Sequence, residues 1–184
     1  MRSPNYFLIK PYGGDRYRTE ENGIIVNSSI ENHEYTNRIA EVIETPINYS
    51  GIIAKGDLIV VHHNTFRVMR TQTNKMVSSS KHIVDDLFWT SEPYMVIKGN
   101  DKIAIDPYIF LQRVKVDDFF QGEFLHENIG KIIINSEHQE KELNIKKGEI
   151  VAYKDFRNYT FNIFGEEYIR VKAEDILAEV NEGV

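Results

Sequence analysis

The chain of 184 residues contains no cysteine. A disulfide scaffold, a thiolate zinc or iron–sulfur site and a cysteine nucleophile are thereby excluded. Long apolar runs are also missing. The opening run at residues 6–9 is broken by Lys10 and Pro11 and falls short of the apolar region of a secretory signal. No stretch approaches the roughly 18 apolar residues of a membrane span. The expectation is a soluble, cytoplasmic protein with no membrane partner. Positive charge is in short supply, with 22 Lys and Arg against 28 Asp and Glu and a formal net charge of -6. Non-specific nucleic-acid binding draws its affinity from Lys and Arg neutralising phosphates, so the acidic balance speaks against a nucleic-acid partner.

Catalytic motifs are absent as well. The sequence has no G-x-S-x-G elbow and no G-x-x-x-x-G-K-[ST] phosphate loop. Its Gly13-Gly14-Asp15 word lacks the helix that makes a glycine turn an anion site. Asp85-Asp86, Asp117-Asp118 and Glu166-Glu167 are adjacent acids of the kind found on solvated turns, whereas paired catalytic acids converge from separate segments. His33, His82, His126 and His138 sit in unrelated segments without metal-ligand spacing. His62 and His63 are neighbours, and adjacent strand residues point to opposite faces. No enzyme activity, no metal and no cofactor are expected.

What is present suffices for a packed core: 41% hydrophobic residues, with ten Tyr, ten Phe and one Trp, unlike the composition of chains that stay unfolded. The apolar periodicity is of strand type. Short runs rich in Ile, Val, Tyr and Phe predict strands at 6–9, 23–26, 39–43, 57–61, 95–98, 102–105, 108–114, 131–134, 149–153, 159–164 and 167–172. Many short strands with turn residues between them predict a barrel or sandwich. Short helical patterns occur only at 81–88 and 173–180.

The chain also repeats itself. Residues 52–60, IIAKGDLIV, are echoed by 144–152, NIKKGEIVA. A strand precedes each word, at 38–43 and 131–134, and the openings YFLIKP at 6–11 and YIFLQR at 108–113 match in character. The words NDKIAI at 100–105 and AEDILA at 173–178 read as matching ends. Two diverged copies of one small β unit therefore divide near Asp106-Pro107. In the shared K-G-[DE] word, glycine supplies a positive-φ turn and the acidic residue begins a strand. Copy 1 carries two long polar segments, one between Pro11 and Arg38 and one between Met69 and Pro93, where copy 2 has short connections. Long segments of this kind in compact domains are usually functional or disordered.

In their order and spacing these words resemble the GroES-type co-chaperonins. Lys147-Gly148-Glu149-Ile150-Val151 is similar to the family's central turn and strand, and residues 173–180 to its closing strand. Asn22-Gly23-Ile24-Ile25-Val26, followed by Arg38-Ile39-Ala40-Glu41-Val42, is similar to the mobile loop and the strand after it. The family's roof hairpin is reduced to 45–50 and 135–142, and residues 61–67, VHHNTFR, resemble phage-encoded members. The resemblance implies an all-β chain of two tandem GroES-like small β-barrels with long loops. The first barrel spans 1–106, with a mobile loop at about 13–37 and an insertion at about 70–92, and the second spans 107–184. It further implies a non-enzymatic co-chaperonin: a homo-oligomeric ring that caps a GroEL-type chaperonin and assists protein folding, in the host cytoplasm if phage-encoded. The docking tripeptide carried over is Ile24, Ile25 and Val26. The alternative is a virion or assembly protein that uses the same barrels for subunit contacts.

Each candidate site residue has a plainer reading beside it. Ile24, Ile25 and Val26 fit an ordinary edge strand as well as a docking loop, although three branched apolar residues in a polar segment call for a partner to bury them. Phe88 and Trp89 close an apolar face that fits either core packing or a subunit interface. Phe124 and Leu125 are the nearest counterpart of the tripeptide in copy 2, on a connection too short to be mobile. Phe66, Arg67, Arg70, Lys75 and Lys81, and in copy 2 Tyr153, Phe156, Arg157, Tyr159 and Phe161, offer the ingredients of a nucleic-acid stacking platform, while alternation assigns most of these aromatics to the core.

Overall fold

The computed structural model describes residues 2–14, 16, 20–21, 24–25, 36–73, 75–79, 81–118, 122–154 and 159–180. The chain forms two compact units, Met1–Asp101 and Lys102–Val184. Unit 1 contains β1 (Phe7–Pro11), β2 (Glu20–Glu21), β3 (Ile24–Ile25), β4 (Ile39–Glu44), β5 (Leu58–Val60), β6 (Val68–Arg70), β7 (Met76–Ser78), β8 (His82–Val84), β9 (Leu87–Thr90) and β10 (Met95–Lys98). Strand β11 (Asp101–Ala104) carries the chain onward. Unit 2 contains β12 (Tyr108–Asp118), β13 (Gly122–Ile134), the helix α1 (Glu137–Glu142), β14 (Ile150–Tyr153), β15 (Tyr159–Ile163), β16 (Glu166–Lys172) and β17 (Ile176–Glu179). Among the described residues the chain is thus all-β but for α1 and short 3-10 turns.

The two units share one topology. The seven-stranded sheet runs β11-β10-β5-β4-β1-β9-β8, and the six-stranded sheet runs β17-β14-β13-β12-β16-β15, so the order from β10 to β8 matches that from β17 to β15. Every neighbouring pair within these matching orders is antiparallel. In each unit the strand after the terminal hairpin crosses back to the far side of the shared order, β10 onto β5 and β17 onto β14. The counterpart of β17 is therefore β10, and the match expected between 100–105 and 173–178 is one strand out of step. Among the described residues no ladder joins the two edges of either sheet, so the expected barrels are not closed by hydrogen bonds.

The repeated K-G-[DE] word makes the same turn twice. Gly56 has φ 88° and Gly148 φ 95°, a region that glycine enters without steric penalty. The Gly56 N–H donates to the Val42 carbonyl at 2.8 Å, and the Gly148 N–H to the Ile132 carbonyl at 2.8 Å. The acidic side chain closes the turn: Asp57 accepts the Ala54 N–H at 2.8 Å, and Glu149 the Lys146 N–H at 2.9 Å. Each turn thereby locks the third strand of its unit in register against the second. Unit 2 packs Ile109, Leu111, Ile132, Val151, Tyr153, Ile169 and Val171 into one buried cluster. Full burial of such a side chain contributes about 1.5–3 kcal/mol.

Neither expected helix forms. Residues 82–90 make the hairpin β8–β9, whose turn places Asp85 at φ 50°, a conformation Asp tolerates better than most residues. Residues 173–175 form a 3-10 turn that leads into β17. The helix that does form is α1, started by a capping box in which Ser136 accepts the Gln139 N–H at 3.2 Å and Gln139 accepts the Ser136 N–H at 2.9 Å. Gln139 is fully buried and also donates to the Tyr108 carbonyl at 2.8 Å, which ties α1 to the start of β12.

Candidate partner-docking site

The long segment of unit 1 leaves the sheet between β1 and β4. Ladder pairing of these strands ends at Pro11↔Ala40, where the fixed φ and missing N–H of proline favour an ending. Beyond it the chain turns through Gly13 and Gly14, at φ 78° and 84°. The two ends of the segment are then tied by separate bonds. The Tyr12 N–H donates to the Ile39 carbonyl at 2.9 Å, the Asn37 side-chain amide to the Tyr12 carbonyl at 2.9 Å, and the Asn37 N–H to the Arg16 carbonyl at 2.8 Å. Asn37 also accepts the Ile39 N–H at 2.9 Å. Within the segment Ile24 and Ile25 form β3, which pairs with β2 in the register Glu20↔Ile25 and Glu21↔Ile24. Val26 lies outside the described residues, as does most of the 13–37 segment.

The same connection in unit 2 is built differently. There β12 and β13 stay paired as far as Asp118↔Gly122, with Val116 opposite Phe124 and Lys115 opposite Leu125. The short connection expected through Phe124 and Leu125 is therefore one long hairpin. Alternating Val114, Val116 and the run from Glu123 to Leu125 around Gly122 carried that signal in the sequence.

The pair Phe88 and Trp89 divides between environments. Phe88 is completely buried and meets Phe66 edge to face at 4.8 Å between centroids, so its ring belongs to the core of unit 1. Trp89 is half-buried and lies opposite Leu8 in the β1–β9 ladder. Phe66 and Tyr153, named above as possible stacking residues, are buried too. Phe156 and Arg157 lie outside the described residues.

His62 and His63 do not sit on a strand. His62 caps a 3-10 turn, its Nδ1 accepting the Asn64 N–H at 3.0 Å. The His62 and His63 rings stack with centroids 4.1 Å apart, so the opposite-face geometry of a strand does not apply to them. Among the described residues no group of three or more His, Asp or Glu side chains is placed to hold a metal ion, and no helix is long and apolar enough to cross a membrane.

A connected group of charges in unit 2 lies elsewhere. Lys102 donates to Glu166 at 2.5 Å and to the Tyr168 hydroxyl at 2.8 Å, and that hydroxyl donates to the same carboxylate. Hydrogen bonds from Lys102 and Tyr168 hold the Glu166 carboxyl below the usual carboxylate range. Burial works against the charge of Lys102, yet its bonds to Glu166 and Tyr168 outweigh burial and raise its pKa. Burial also raises the Tyr168 hydroxyl. This network ties β11 to β16.

Comparison with known proteins falls on unit 2. Residues 109–180 match the family model of the chaperonin 10 kDa subunit. No curated protein matches the chain.

Proposed function

Because residues 109–180 form a domain of the GroES-type co-chaperonin family, we propose that this protein is a lid for a GroEL-type chaperonin and that unit 1 supplies its docking segment. The family match carries the reading. The common strand order of the two units extends it to unit 1, which places its long segment at the connection between the first two strands of the shared topology. Ile24, Ile25 and Val26 dock onto apical grooves of the chaperonin. Full burial of each contributes about 1.5–3 kcal/mol, and ordering the segment consumes part of that gain. Single contacts are therefore weak and reversible. A homo-oligomeric ring multiplies them by raising the effective concentration of every further contact. The action is binding, in the cytoplasm, without a reaction of its own.

Deletion of residues 24–26 tests the assignment. Capture of the purified protein by an immobilised GroEL-type chaperonin in the presence of nucleotide is expected to fall at least about tenfold, the loss of a single contact worth 1.4 kcal/mol. Unchanged capture by the deletion variant would show that another surface docks.

A further inference from the structure

Of the segment expected as an insertion at 70–92, β8 and β9 correspond to β15 and β16 of unit 2, and among the described residues the β6–β7 hairpin alone falls outside the shared strand order; one side chain connects these two hairpins to the root of the docking segment. Arg16 lies at the point where that segment departs, its carbonyl accepting the Asn37 N–H from the returning end at 2.8 Å. Its guanidinium reaches both hairpins. Nη1 donates to Ser78 Oγ at 2.7 Å and Nη2 to the Asp85 carbonyl at 3.2 Å, while the guanidinium carbon stands 4.8 Å from the centroid of the Phe88 ring. These partners come from the end of β7, the β8–β9 turn and β9. Two of them are held in turn: Phe88 by Phe66, and the Asp85 carbonyl by a His82 ring nitrogen at 2.6 Å. Only a planar fork of donors serves a hydroxyl, a carbonyl and an aromatic face together, and lysine has no such fork.

The contrast between the units gives this contact its meaning. In unit 2 the ladder itself holds the equivalent connection, pairing on to Asp118↔Gly122. In unit 1 the ladder stops at Pro11↔Ala40, and among the described residues the β6–β7 hairpin appears in that unit alone. We infer that Arg16, seated on the end of β7 and the β8–β9 hairpin, is a positioning residue that fixes where the docking segment leaves unit 1. The inference rests on the docking role proposed above. An unanchored root lets the segment sample many directions, and binding must then offset that lost freedom. Arg16 removes part of that penalty before the partner arrives.

Full-length Arg16→Ala, Arg16→Lys and Ser78→Ala test the inference alongside the 24–26 deletion. Three quantities are measured: affinity for a GroEL-type chaperonin with nucleotide, exchange of the Asn37 amide, and melting temperature. Arg16→Ala is expected to weaken capture about tenfold, as for lost hydrogen bonds and a cation–π contact. Arg16→Lys is expected to follow it, and Ser78→Ala to give a smaller loss. The Asn37 amide exchanges faster in both Arg16 variants, and the melting temperature moves little. If the wild type is captured and the deletion variant is not, wild-type affinity in Arg16→Ala overturns the role of Arg16 and leaves the docking reading intact. If the wild type is not captured at all, the docking reading fails, and unchanged Asn37 exchange in Arg16→Ala overturns the anchor as well. Should Arg16→Ala fail to fold, full capture by folded Ser78→Ala decides against the inference.

Discussion

Lys102, Glu166 and Tyr168 make the stability of unit 2 respond to pH in a defined direction. The folded state holds Glu166 below its ordinary carboxylate value, so its contribution is complete above the unfolded value of about 4.3 and is lost as the pH falls through the lower folded value. Lys102 is raised; its contribution is complete below the unfolded value of about 10.4 and is lost as the pH rises through the folded one. Urea unfolding checks this. The wild type is expected to have a higher midpoint than Glu166→Gln at neutral pH, and the difference is expected to shrink when both are acidified to about pH 3, below the unfolded carboxylate value. A difference that persists in acid would place the origin of the effect elsewhere.

Among the elements, the K-G-[DE] turn does the same work twice, and its glycines test that equivalence. An added methyl group at Gly56 or Gly148 meets nothing within 4 Å, so the penalty of alanine comes from positive φ alone. Gly56→Ala and Gly148→Ala are each expected to cost about 1–2 kcal/mol in denaturant unfolding. A much larger loss at one of them would mean that the turns are not equivalent.

These turns and most strands were legible in the sequence, because strand alternation and a glycine that needs positive φ are local signals. The helix expected over 81–88 failed because Ile83, Val84, Leu87 and Phe88 have helical spacing and equally fit two short strands around the Asp85-Asp86 turn. Ser136 and Gln139 did announce α1 at capping-box spacing, a signal hidden by reading the segment as a reduced hairpin. Ile24 and Ile25 stood out as apolar residues in polar surroundings. Arg16 did not, since its hydrogen-bond partners Ser78 and Asp85 lie 62 and 69 residues away, and nothing in a local window pairs them.

On the scale of the whole molecule, two units share one order of six strands and differ at the connection between the first two: the ladder ends at Pro11↔Ala40 in unit 1 and runs on to Asp118↔Gly122 as a paired hairpin in unit 2. With residues 109–180 matching the model of the chaperonin 10 kDa subunit, the second unit carries the family signature while the first carries the apolar segment proposed to dock. The most direct test mixes the purified full-length protein with a GroEL-type chaperonin and nucleotide, then views the particles by electron microscopy while ATP turnover is followed. Capped particles with suppressed turnover are the expected result. Bare chaperonin at micromolar concentrations of both proteins, with turnover unchanged, would contradict a lid function.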